Sequence, residues 1–132
     1  MTWAEKEVPS LELCKKLKEL EFPQESDSGW YWVLYKQPTY KKWVVGCKNN
    51  KFNSKEWLIY NDKLFYITNS VVDYIKAPTC REILEWIDIV YQKHITGCYL
   101  TEKLTYAPDE IEPNRLAKDL IWLAENGYVK FK

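Results

Sequence analysis

Glycine is scarce in this chain, and its scarcity excludes the commonest nucleotide machinery. Four glycines occur in 132 residues, at positions 29, 46, 97 and 127. Each stands alone, so neither G-x-G-x-x-G nor G-x-x-x-x-G-K-[ST] is present to cradle phosphates with backbone N–H groups. Histidine is scarcer still. His94 is the sole one, and a nucleophile that needs an imidazole base has one residue to draw on. Cys98 lies four positions on, but Thr96-Gly97 breaks the helix that would bring the two together, so a helix-end histidine is the simpler reading. The four cysteines, Cys14, Cys47, Cys80 and Cys98, form no C-x-x-C pair. A structural zinc site needs such a close pair and a secreted scaffold needs a denser framework, which leaves reduced, buried thiols and no expected metal or cofactor. Nineteen basic residues balance nineteen acidic ones, so no overall field draws the chain to nucleic acid or an anionic membrane. No run approaches the ~20 apolar residues of a membrane span, and MTWAEKEVPS lacks the basic and apolar regions of a secretory signal. The expectation is a cytoplasmic protein with no membrane partner.

What is abundant is the aromatic ring: 16% of residues are Phe, Trp or Tyr, seven of them Trp. Together with a hydrophobic fraction of 46%, this is a chain that folds, and its length suits one domain over 1–132.

Periodicity supplies the elements. Ser10 caps a helix whose Leu11, Cys14, Leu17 and Leu20 share a stripe, ending near Phe22-Pro23. From Trp30 to Tyr35 and from Tyr40 to Cys47 the pattern is that of strands, joined by Gln37-Pro38-Thr39, with rings on both faces. Lys48-Asn49-Asn50-Lys51 reads as a turn. Glu56 to Tyr60 and Lys63 to Thr68 form a second hairpin over Asn61-Asp62. Val71 to Lys76 is extended, and Ala77-Pro78 leads to Thr79, whose pairing with Glu82 is a capping-box signature. Ile83, Leu84, Ile87, Val90 and Tyr91 then make one helical stripe. Gly97 to Ala107 reads as a strand. The last helix begins at Asp109 or Glu112, buries Leu116, Leu120, Leu123 and Ala124, and stops at Asn126-Gly127, with Tyr128 to Phe131 as a possible edge strand. Strands and helices are segregated rather than alternating. The fold expected is therefore α+β, an antiparallel sheet of four to six strands with about three helices packed mainly on one face.

Four stretches carry a resemblance: LELCKKLKELEFPQ (11–24), GWYWV (29–33), KAPTCREILEWI (76–87) and LAKDLIWLAENGYVKF (116–131). They resemble a family of small proteins encoded by phages and prophages, to which no activity is attached. The resemblance implies a phage or bacterial origin and a place in the cytoplasm of a bacterial host. It brings no functional residues with it.

The carboxylates cluster at Glu82/Glu85 and Asp109/Glu110/Glu112, where helices begin, and capping explains them without catalysis. No catalytic residue is assigned. What remains is the meander between Trp30 and Trp57, in which rings alternate with lysines. Tyr and Trp are favoured at protein interfaces, and rings beside lysines also hold single-stranded nucleic acid or nucleotides. The leading expectation is a non-enzymatic binding protein that meets a protein partner, or a second copy of itself, through Trp30, Trp32, Trp43, Tyr35, Lys41 and Lys42. The alternative is a nucleotide or single-stranded nucleic-acid module using the same surface.

Overall fold

A computed structural model gives the structure of residues 3–24, 29–36, 38–48, 56–61, 64–68, 70–93 and 106–131. The order is α1 (Trp3–Lys6), α2 (Leu11–Glu19), β1 (Gly29–Lys36), β2 (Lys41–Lys48), β3 (Trp57–Asn61), β4 (Leu64–Thr68), β5 (Val71–Lys76) and α3 (Cys80–Lys93). A 3₁₀ turn (Pro108–Glu110) and α4 (Pro113–Glu125) follow. The α+β class and the five-stranded antiparallel sheet agree with the sequence reading.

β1 to β4 form a meander, and β5 pairs with β1, so the sheet order is β4-β3-β2-β1-β5. Only residues 69 and 70 separate β4 from β5, although these are the two edge strands. Three Cα–Cα steps reach at most about 11 Å, whereas the edges of a flat five-stranded sheet lie about 19 Å apart. The sheet must therefore roll, bringing its edges towards each other.

Rolling gives the two faces different jobs. Residues opposite one another across strands share a face, and the register Tyr31↔Gly46, Val33↔Val44, Gly46↔Ile59 and Val33↔Tyr74 defines the inner one. Tyr31, Val33, Trp57 and Ile59 are buried there, with Val44, Val71 and Tyr74 packed against them. The Tyr31, Trp57 and Tyr74 rings meet with centroids 5.2–5.6 Å apart, within the range of favourable aromatic pairs. Gly46 sits where these strands close up. A Cβ there would lie 3.1 Å from Ile59 Cδ1 and 3.2 Å from the Leu58 carbonyl, which is why the position has no side chain.

The outer face packs on the helices. Trp32, Val45 and Ile75 form a cluster with Val8, Cys14 and Ala77, flanked by Leu11, Trp30 and Trp43. α2 turns Cys14 towards this cluster and Leu17 towards a second one, formed with Ile83, Ile87 and Val90 of α3 and Leu116, Leu120 and Leu123 of α4. Thus α2 lies between the sheet and the other two long helices.

The caps are where the sequence places them. Ser10 Oγ accepts the Leu13 N–H. Glu82 accepts from the Thr79 N–H while Thr79 Oγ1 accepts the Glu82 N–H, closing the capping box. Glu82 also meets the buried Lys76 at 3.2 Å, which ties the end of β5 to the start of α3. Of the two candidate caps for α4, Glu112 is the one used: its carboxylate accepts the Asn114 and Arg115 N–H groups, and Asp109 belongs to the 3₁₀ turn instead.

Three expectations change. α2 ends at Glu19, before Phe22-Pro23, because Glu21 takes a left-handed backbone (φ 72°) and the Phe22 N–H returns to the Leu17 carbonyl. Ala124 is only half-buried, and Ala117 and Ile121 take its place on the inner face of α4. Residues 128–131 form no strand. Val129 is buried among the helices, and Phe131 stacks edge-on against Trp86 and Phe22. The helical core offers this segment apolar contact, and both sheet edges lie elsewhere. The expected strand over 97–107 lies mostly outside the described residues, as do the turn at 49–51, Asp62, His94 and Cys98. Tyr106 and Ala107 are irregular.

Candidate functional site at the open end of the sheet

The six residues singled out from the sequence are divided by the fold. Trp32 is a core residue, 9% exposed, and its indole N–H donates to the Pro9 carbonyl at 2.9 Å. It fixes the chain between α1 and α2 against β1, and the little surface it keeps lines a cavity with Val8 and Leu11. Trp30 and Trp43 are half-buried on the same outer face, beside α2. Lys15 of α2 lies 5.6 Å from the centre of the Trp43 ring, a cation–π distance.

The other three lie together at one end of the sheet. Tyr35 stands opposite Lys42, and Lys36 opposite Lys41, at the last rungs of the β1–β2 pair. Tyr35 is half-buried and Lys36, Lys41 and Lys42 are exposed. Beyond the last rung, Tyr40 leaves the core entirely and is 56% exposed. β5 begins at this same end: the Lys36 N–H donates to the Ser70 carbonyl, and the register slips by one residue at Leu34/Tyr35. This irregularity leaves Val72 52% exposed. Bulges of this kind commonly re-aim side chains beside functional sites.

The end of the sheet therefore presents an apolar ring and a valine among lysines. Its charge is one-sided. Lys36, Lys41 and Lys42 lie here, with Asp73 opposite Leu34 as the one carboxylate of β1, β2 and β5, whereas Lys48 and Lys76 lie at the other end, opposite Gly29 and Tyr31. Asp73 is itself used, accepting the Tyr74 N–H at 2.8 Å. Among the described residues, Lys36, Lys41 and Lys42 make no ion pair, whereas Lys76 pairs with Glu82 and Lys48 lies over the Trp57 and Tyr74 rings at 5.1 and 5.7 Å. The lysines that serve the fold are thus distinguishable from those that do not.

Sequence reasoning did not select Lys36, counted Tyr40 among the rings of the meander without choosing it as a contact, and did not select Val72. For the first two a signal existed: Pro38 marks a hairpin turn, and residues flanking a turn lie beyond the helix-covered part of a sheet. Val72 gave none, because its exposure follows from a register slip.

The thiols sit in settings that suppress reactivity. Burial raises Cys14 from 9.0 to about 12. Burial also raises Cys47, and it raises Cys80 with help from Glu112 and Glu7. A thiolate is the reactive form, so none of the three is an activated nucleophile. Among the described residues no three His, Cys, Asp or Glu side chains come together as metal ligands, and no helix is long and apolar enough to cross a membrane.

Comparison with known protein families, with curated proteins and with solved structures finds no match.

Proposed function

We propose that this chain is a non-enzymatic binding protein that meets a protein partner through the open end of its sheet. The contact is centred on Tyr40 and Val72, with Lys36, Lys41 and Lys42 around them. The observation that carries this reading is that, among the aromatic side chains described, the others are buried or half-buried while Tyr40 is more than half exposed, beside three lysines without ion pairs among the described residues. An apolar centre ringed by charge is the anatomy of a protein interface, and the sign of the ring selects an acidic patch on the partner. Its mode of action is occlusion: the protein covers the surface it binds. The likeness of four segments to phage and prophage proteins supports an accessory role directed at a bacterial host.

A second reading has one observation in its favour, the pairing of Tyr35 with Lys42 across the strands. Rings beside lysines suit single-stranded nucleic acid, with bases on the rings and phosphates on the ammonium groups.

Affinity capture from bacterial lysate with the whole chain, with and without nuclease, separates the two. A protein partner survives nuclease and is lost when Tyr40→Ala, Lys41→Glu and Lys42→Glu are combined. A nucleic-acid ligand disappears with nuclease and weakens steeply with salt. Equal capture by the variant would remove this end of the sheet from consideration.

A further inference from the structure

A second candidate site lies on the opposite side of the helical layer. A cavity of about 330 Å³ opens between the second half of α3 and the segment that follows α4. Its floor is apolar: Trp86 and Val90 from α3, and Val129 from the tail. Ile89, 45% exposed, continues that floor towards solvent. The volume is at the small end of ligand cavities, ~300–1,000 Å³, and the lining follows their usual pattern of apolar walls with few polar groups.

The polarity of the rim is what gives the cavity a chemical preference. Among the described residues, Lys93 and Lys130 are its charged lining residues and no carboxylate lines it. Neither lysine makes an ion pair among the described residues. Asp88 of α3 and Glu125 of α4 are not lining residues, and Glu125 pairs with Lys16 at 3.7 Å. The ends of α3 and α4 also point here, and a helix C-terminus carries a partial negative charge of roughly one half. The two lysines outweigh the two half charges of the helix ends, so the described lining is positive on balance. Another cavity among the described residues, beside Trp32, has no such bias. Glu5 and Glu112 there face Lys6 and the positive starts of α2 and α4, and the charges cancel.

We infer that the α3–tail cavity binds a small amphipathic organic anion. An aryl or short alkyl group would lie on Trp86, Val90 and Val129, with its carboxylate between Lys93 and Lys130. This site is separate from the sheet end and does not depend on the function proposed for it.

The probe is 2-naphthoate, titrated into the ¹⁵N-labelled whole chain and followed by amide chemical shifts. The control is 2-naphthylmethylamine, which keeps the ring and reverses the charge. Saturable shifts are expected at Ile89, Lys93 and residues 127–130, with the amine binding at least ten-fold more weakly. Lys93 and Lys130 are exposed, so Lys93→Gln with Lys130→Gln leaves the fold intact. Losing two charged hydrogen-bond donors should weaken naphthoate by about ten-fold or more. The inference is overturned if the amine binds as well as the naphthoate, if the double variant binds like the parent, or if no saturable shift occurs at these residues.

Discussion

Trp32 shows how one residue can be legible in its element and not in its surroundings. Its strand and its face follow from alternation with Tyr31 and Val33, but alternation does not say which face another element will cover. That depends on Val8 and Pro9, more than twenty residues earlier, which bring a carbonyl within 2.9 Å of the indole. Trp32→Phe keeps most of the apolar contact and removes the donor, leaving the Pro9 carbonyl with only the weak Cys14 thiol at 3.6 Å. The loss expected is about 1–2 kcal/mol of unfolding free energy in urea titration. Trp32→Ala should cost about 3–5 kcal/mol, because it also empties the space between sheet and α2. If Trp32→Phe were neutral, the hydrogen bond would not matter to the position. The lysines could not be ranked from the sequence for the same reason: Lys76 and Lys41 look alike until Glu82 is found beside one and, among the described residues, no carboxylate pairs with the other.

Elements were more legible than residues, because caps and periodicity are local. Ser10, the Thr79–Glu82 box and Asn126-Gly127 each stand at the boundary they announce. The exception is the end of α2. α2 and α4 close in the same way, with a left-handed residue whose successor bonds back to the carbonyl five residues before it: Phe22 to Leu17 and Tyr128 to Leu123. α4 has glycine at that position and α2 has Glu21, a residue that rarely adopts a positive φ. Pairing the two helices gives opposed predictions. Glu21→Gly relieves the strained backbone and should raise stability by up to about 1 kcal/mol, whereas Gly127→Ala, at φ 79°, should lower it by about 1 kcal/mol. Thermal melts of the two variants check both signs. The tail at 128–131 went the other way. Its alternation suits a strand, but a strand needs an open edge within reach, and only tertiary structure shows that the helical core claims Val129 and Phe131 first.

On the scale of the whole molecule, the class of fold was readable from the segregation of strands and helices, while the rolling of the sheet was not. It follows from β5 returning to β1, a pairing no local signal encodes. The buried cluster between the sheet and α2 also predicts an alkaline limit. Cys14 ionises at about 12 in the folded chain against 9.0 when exposed, so above pH 9 the unfolded chain releases a proton that the folded one keeps. Stability then falls as pH rises from about 9 towards about 12, by up to about 1.4 kcal/mol per pH unit from this thiol. Burial raises Cys47, Cys80 and Tyr106 in the same direction, Tyr106 with help from its hydrogen bond to Asp119. Urea midpoints at pH 7.5 and pH 10 measure the loss, and Cys14→Ala should make it shallower. An unchanged slope in that variant would mean the thiol is not the group responsible.

The central claim is that the open end of the sheet, rather than the tryptophans packed against the helices, is the contact surface. Capture from nuclease-treated bacterial lysate tests it most directly, comparing the parent with Tyr40→Ala/Lys41→Glu/Lys42→Glu at matched concentration after melts show that both are equally folded. The account predicts a discrete protein retained by the parent and reduced at least ten-fold with the variant. Equal retention by both would contradict it, and so would a partner that vanishes with nuclease.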